Sequence, residues 1–256
     1  MSMTTADEEA RAVFGRRAAF YTTSAVHTDA AVLSRLVEMA TPLPAWLALD
    51  VGTGTGHTAF AVAPHVARVV GIDPTPEMLR EALGLEEKHR AGNIEFCLGT
   101  AEVLPFATDA VDLVTCRRAA HHFRDIGAAL DEIRRVLRHG GRLVIDDRSV
   151  AEDDFVDECM NRLDKYHDHS HVAEYRPSTW CDMLARHGFA VIAAETYTRH
   201  RPLTSLTEGA APEDVAAIHA VLAGLSEDQR ARLNLVDMGG QPYCNHWFVM
   251  LAAHRA

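Results

Sequence analysis

No apolar run in the chain approaches the roughly 18–20 residues that a membrane-spanning helix needs. Met1 to Arg17 is polar and acidic at its start and has no apolar core of the kind a secretory signal carries. Cysteine is sparse: Cys97, Cys116, Cys159, Cys181 and Cys244 are five in number, widely spaced and without a CxxC pair. That leaves no disulfide framework, and points to reduced thiols in a cytoplasmic protein. Basic charge is sparse too. The formal net charge is −11, and Arg16-Arg17, Arg117-Arg118 and Arg134-Arg135 are isolated pairs rather than a stripe. A nucleic-acid groove or an anionic membrane surface needs concentrated positive charge, so neither is an expected partner. Repeats and low-complexity linkers are absent.

What is present is a globular composition, 48% hydrophobic over 256 residues, enough for one large α/β domain with a modest insertion. Residues 7–20 and 27–40 carry apolar positions at helical spacing, and Pro42 and Pro44 end the second helix. A regular alternation follows. Strands are expected at Trp46–Val51, Arg68–Asp73, Asn93–Leu98, Val111–Cys116 and Arg142–Asp146. Helices are expected at Gly56–His65, Thr75–Arg90 and Ile126–Arg138, with a turn at His139-Gly140-Gly141. Continuous apolar strands alternating with helices imply a parallel sheet covered on both faces. Further on, helices are expected near 152–166, 178–187, 212–223 and 226–235, and strands at Phe189–Thr198 and Asn245–Ala253.

Two motifs lie at strand ends. Asp50-Val51-Gly52-Thr53-Gly54-Thr55-Gly56 follows the first strand, where glycines permit a tight turn and close approach of a ligand to the backbone. It also reads as a purely structural turn. Asp73 ends the second strand about 20 residues on, where a carboxylate can accept both hydroxyls of a ribose. It can equally cap the helix after Pro74.

Asp50–Gly56, then Gly71-Ile72-Asp73-Pro74-Thr75-Pro76-Glu77-Met78-Leu79, then Gly99-Thr100-Ala101-Glu102-Val103-Leu104-Pro105-Phe106, and Val136-Leu137-Arg138-His139-Gly140-Gly141-Arg142-Leu143 resemble the successive motifs of class I S-adenosylmethionine-dependent methyltransferases, nearest to the ubiquinone/menaquinone-biosynthesis type. The resemblance is strong over residues 46–148. It implies a Rossmann-like, doubly wound, seven-stranded sheet with the last strand inserted antiparallel, and S-adenosylmethionine as cofactor. It also implies roles. Asp50 and Gly52, Thr53, Gly54 and Gly56 would lie under the methionine part, Asp73 would hold the ribose, and Pro74 or Met78 would flank the adenine. Thr100, Ala101 and Glu102 would meet the adenine edge, Arg117 would contact the cofactor through its backbone, and Tyr21 would cover the carboxylate end. The expected organisation is one domain over 1–256. Residues 1–44 form a helical lid, 45–150 the cofactor-binding core, 151–176 and 203–240 a cap, and 177–202 with 241–256 the remaining core.

The acceptor side is marked by histidines. His121 and His122 follow the fourth strand, where an imidazole could take a proton from an acceptor O–H or N–H; at most one is expected to act, the other packing beneath the helix. Asp146-Asp147-Arg148 ends the fifth strand on the same edge, as a base or as a carboxylate paired with Arg148. His167-Asp168-His169-Ser170-His171 has alternating ligand types, but in a loop it lacks the fixed geometry of a metal site, so no metal is expected. His171, Tyr175 or Arg176 would instead reach the acceptor pocket, with Phe20, Tyr21 and Phe123 as apolar lining. The reading is methyl transfer to a small molecule. A nicotinamide-dependent oxidoreductase shares the glycine loop but would want a Tyr-x-x-x-Lys pair, which is missing. A non-catalytic cofactor-binding module is the other alternative, and a homodimer is left open.

Overall fold

A computed structural model describes residues 5–256, with side chains described from Phe14 onward; positions 1–4 of the expected lid lie outside them. Two helices come first, α1 (Thr5–Thr23) and α2 (Ala30–Ala40). Asp29 caps α2 by accepting the Ala31 and Val32 amides. The alternation follows as β1 (Leu47–Val51), α3 (His57–Val62), β2 (Arg68–Asp73), α4 (Pro76–His89), β3 (Ile94–Leu98), β4 (Val111–Arg117), α5 (Ile126–Val136) and β5 (Leu137–Ser149). Next come α6 (Asp154–His167), α7 (Pro177–Arg186), β6 (Phe189–Pro202), α8 (Thr204–Thr207), α9 (Pro212–Ala223), α10 (Glu227–Arg232), β7 (Val236–Met238) and β8 (Gln241–Arg255).

The sheet order is β3-β2-β1-β4-β5-β8-β6, with β1 to β5 parallel and β8 antiparallel between β5 and β6. This is the expected doubly wound sheet with its last strand reversed. Its two faces carry separate apolar clusters. Leu36, Met39, Ala59, Val62, Leu113 and Val144 pack beneath α2 and α3. Leu49, Ile72, Leu130, Ile133, Ile145 and Trp180 pack beneath α5 and α7.

Three details differ from the sequence expectation. The α3 helix stops at Val62 and continues as a 3-10 turn, because Pro64 has no amide to extend it. The His-Gly-Gly turn lies inside β5: pairing with β4 jumps from Val111–Leu137 to Leu113–Arg142, and Gly140 takes φ +73°. An eighth strand, β7, pairs with the start of β8 as a short exposed hairpin.

A third apolar cluster lies outside the sheet. Val156, Met160 and Leu163 of α6 pack with Leu206 of α8, Ile218 and Leu222 of α9, and Leu233. These segments are distant in sequence but share one buried apolar cluster, which includes Cys244 of β8.

Candidate active site

The glycine loop joins β1 to α3. Gly52, Gly54 and Gly56 all have positive φ, at 67°, 54° and 89°, a region that costs other residues about 1–2 kcal/mol each. A Cβ on Gly52 would come within 2.4 Å of the Ala119 Cβ, whereas one on Gly54 would meet no atom within 4 Å. The loop is thus pressed against the segment after β4 at Gly52 and has open space at Gly54. Asp50 staples it. Its carboxylate accepts the hydroxyls of Thr53 and Thr115, both at 2.7 Å. Burial raises Asp50 to about 6, against the pull of those hydroxyls and of Arg117.

Asp73 joins the two cofactor motifs. Its Oδ2 accepts the Gly54 amide at 2.9 Å and its Oδ1 the Thr75 amide at 2.8 Å. Thr75, not Asp73, is the N-cap of α4. Beside it Met78 is buried and Pro74 partly so. Ala101 is buried after β3, Thr100 bridges to Val103, and Glu102 accepts the Arg124 amide at 3.1 Å.

The N-terminal helices close over this edge. His57 Nε2 donates to the Tyr21 carbonyl at 3.2 Å, while the Tyr21 ring stands edge-on to His27 at 4.7 Å. The Tyr21 hydroxyl turns toward Arg17 and Asp168 on the cap side. Phe20 is exposed. The Arg117 side chain reaches back to the same helices, donating to Thr58 Oγ1 at 3.1 Å and to the His27 carbonyl at 2.6 Å. Its Nη1 and the His27 Nδ1 are buried polar atoms with no hydrogen-bond partner among the described residues.

On the acceptor side the two neighbouring histidines differ. His121 Nδ1 lies 2.6 Å from Asp147 Oδ1, and the carboxylate also accepts the amides of His121 and Arg148. A carboxylate only accepts, so Nδ1 carries a proton and donates it to Asp147. Burial alone would push Asp147 up; the charge and hydrogen bond of His121 outweigh it and hold Asp147 below its ordinary value. His122 lies with its ring 4.0 Å from that of His121, and burial and the His121 charge press it to about 3. Its Nδ1 faces Ser170, whose hydroxyl donates to Asp168 at 2.6 Å, so His122 donates to Ser170. His171 is lowered to about 4 by burial, and its Nε2 donates to Asn161 Oδ1 at 3.1 Å.

The three histidines of the alternating stretch diverge. His167 meets the Leu206 carbonyl at 3.0 Å, His169 meets Asp214 at 2.9 Å, and His171 meets Asn161. Tyr175 packs on Trp180, and Arg176 pairs with Asp154 and Asp157. Phe123 packs against the α5 side of the core. Sequence reasoning passed over Asn161, Glu174 and His246. Arg148 is held by Asp164 at 2.6 Å and by Glu174, with His246 Nδ1 at 3.5 Å. No local pattern announces this cluster, because its members come from β5, α6, the following loop and β8.

The methyltransferase domain family model matches residues 46–201. The chain belongs to this family. It is a methyltransferase, and S-adenosylmethionine is its methyl donor. The methyltransferase is 37% identical to the uncharacterized methyltransferase YcgJ of Bacillus subtilis over 69% of this chain and 70% of the relative. The YcgJ crystal structure superposes with a TM-score of 0.78 at 32% identity, covering 88% of this chain and 98% of that one. Identity to the ubiquinone/menaquinone biosynthesis C-methyltransferase UbiE of Rubrivivax gelatinosus is 36%, over 43% of this chain and 42% of the relative. The geranyl diphosphate C-methyltransferase of Streptomyces coelicolor, crystallised with S-adenosyl-L-homocysteine, shares the fold alone, at TM-score 0.60 and 15% identity over 88% of this chain and 77% of that one. No described helix is long and apolar enough to cross a membrane.

Proposed function

We propose that this methyltransferase acts on a small-molecule acceptor, with His121 as the base that takes the acceptor's proton. The observation that carries the reading is the His121–Asp147 pair at the sheet edge that also bears the glycine loop. S-adenosylmethionine, when bound, supplies an electrophilic methyl group on a sulfonium. The residues present fit it. Open space at Gly54 gives room for the methionine part, and the unpartnered Arg117 Nη1 and His27 Nδ1 are polar groups available to its amino-acid end. Gly52, Thr53, Gly54 and Gly56 would form the floor, held by Asp50. Asp73 would accept the ribose hydroxyls, and Pro74, Met78, Thr100, Ala101 and Glu102 would surround the adenine. Tyr21 would close the amino-acid end.

On the acceptor side, Asp147 would keep His121 in the tautomer whose Nε2 can accept a proton. His122 and His171, neutral and tied to Ser170 and Asn161, would position the cap. Residues 1–44 would act as a lid and 151–176 with 203–240 as the cap. The net charge of −11 and five unpaired cysteines support a small acceptor and a cytoplasmic setting. Incubation with methyl-labelled cofactor and a small-molecule extract tests this. Label is expected in a small molecule; label only in protein or nucleic acid would contradict it.

Asp73→Ala is expected to weaken S-adenosylhomocysteine binding by about 1.5–3 kcal/mol, the range for hydrogen bonds to a charged group. Because Asp73 is only 7% exposed and also holds the Gly54 and Thr75 amides, some loss of stability should accompany it. Calorimetry on the folded variant checks this; an unchanged Kd would leave Asp73 a purely structural tie.

A further inference from the structure

Four arginines converge beneath the cap. β5, β8 and β6 run side by side there, with Arg148 opposite Phe248 and Phe248 opposite Tyr197. Farther along the β8–β6 ribbon, His246 is opposite Arg199 and Cys244 opposite Arg201. Paired residues share a face, and so do alternate residues of a strand. Tyr197, Arg199 and Arg201 therefore lie on the face that carries Arg148 and Phe248. Arg118 enters from the end of β4 and stands 3.8 Å over the Phe248 ring.

Three of these cations have acids. Arg118 pairs with Asp146, Arg148 with Asp164 and Glu174, and Arg199 with Asp29. Arg201 makes no side-chain hydrogen bond or ion pair among the described residues. The charges that act on it most are those of Arg148, Arg118 and Arg199. A partly buried cation facing other cations is unfavourable until an anion joins it. Arg148 and Asp147 point to opposite faces of β5, but His171 joins the two sides: its ring lies 6.0 Å from that of His121, and the charges of Asp164 and Arg148 act on it.

We infer that Arg201 is the docking point for an anionic group, a carboxylate or a phosphate, carried by the methyl acceptor. This rests on the small-molecule reading of the same site. Arg201 offers a planar fork that matches either oxyanion, and it is the cation of the four without an acid of its own among the described residues.

The test titrates benzoate, phenyl phosphate and neutral benzyl alcohol into the protein, with and without S-adenosylhomocysteine. Heats and the arginine Nε–H NMR signals are followed. At least one anion is expected to bind roughly tenfold or more tighter than benzyl alcohol, and the stronger of the two identifies carboxylate or phosphate. Arg201→Gln should abolish the preference and Arg201→Lys retain part of it, with S-adenosylhomocysteine affinity unchanged in both. Since Arg201 is repelled by its neighbours, Arg201→Gln should not lower Tm. No anion preference in the parent protein, or a preference intact in Arg201→Gln, would overturn the inference while leaving cofactor binding untouched. An anion preference that depends on Arg201 in a protein that does not bind S-adenosylhomocysteine would uphold the docking point and remove the methyl-transfer reading of the site.

Discussion

Replacing His121 with alanine is expected to lower kcat by about 10²–10⁴, the usual contribution of a general base, with little change in cofactor affinity. The imidazole is held by Asp147 on one nitrogen and is chemically available on the other. Asp147→Asn should give a loss of the same kind, because an amide can turn its N–H toward Nδ1 and favour the wrong tautomer. The pH dependence separates the histidines. A base must be neutral to act, so protonation removes rate on the acid side. His122 at about 3, His171 at about 4 and His27 at about 3 are already neutral above pH ~5. The acid limb of the pH–rate profile should therefore persist in His122→Asn and His171→Asn and vanish in His121→Ala. An acid limb retained in His121→Ala, or full kcat in that variant, would show that alignment alone drives the reaction.

Arg148→Met is expected to destabilise the fold by about 3–5 kcal/mol, the range for breaking a buried ion pair by removing one partner. Asp164 and Glu174 are each 1% exposed at their side chains, and Arg148 is the cation between them. Burial would raise Asp164, but Arg148 outweighs it and holds Asp164 near 2. Burial drives Glu174 well above the ordinary carboxyl value, against the pull of Arg148. The signs follow. Asp164 contributes stability that is present above its unfolded value and is lost as pH falls toward about 2. Glu174, raised, contributes stability that is complete below its unfolded value and fades as pH rises through its folded one. Urea unfolding of Arg148→Met, beside a triple variant with Asp164→Leu and Glu174→Leu, checks the account. The triple variant should recover most of the loss. A loss below ~1 kcal/mol in the single variant would mean that the cluster is solvated rather than buried.

The parallel half of the sheet was legible because β1, β2 and β4 are apolar runs buried on both faces, bounded by glycines and helix caps. The outer ends of β6 and β8 were not. Residues 199–202 and 241–246 are mostly polar or partly buried, with Cys244 and His246 the buried exceptions, so no hydrophobic run marks them. The glycine loop and Asp73 could be placed by spacing alone. The choice between His121 and His122 could not. It depends on Asp147, 26 residues away on the neighbouring strand. Strand alternation sends Asp146 toward Arg118 and Tyr197 and Asp147 toward His121, so two adjacent carboxylates serve different partners. Arg201 gave no signal, since a lone arginine in a strand is ordinary until its neighbours are known.

The cofactor site is tested most directly by calorimetric titration of the purified protein with S-adenosylhomocysteine and, separately, NADH. The expected result is one S-adenosylhomocysteine site per chain with Kd on the order of micromolar, and NADH at least roughly a hundredfold weaker. Absence of heat with S-adenosylhomocysteine, or tight binding of NADH, would contradict the assignment of Gly52–Gly56 and Asp73 to the methyl donor.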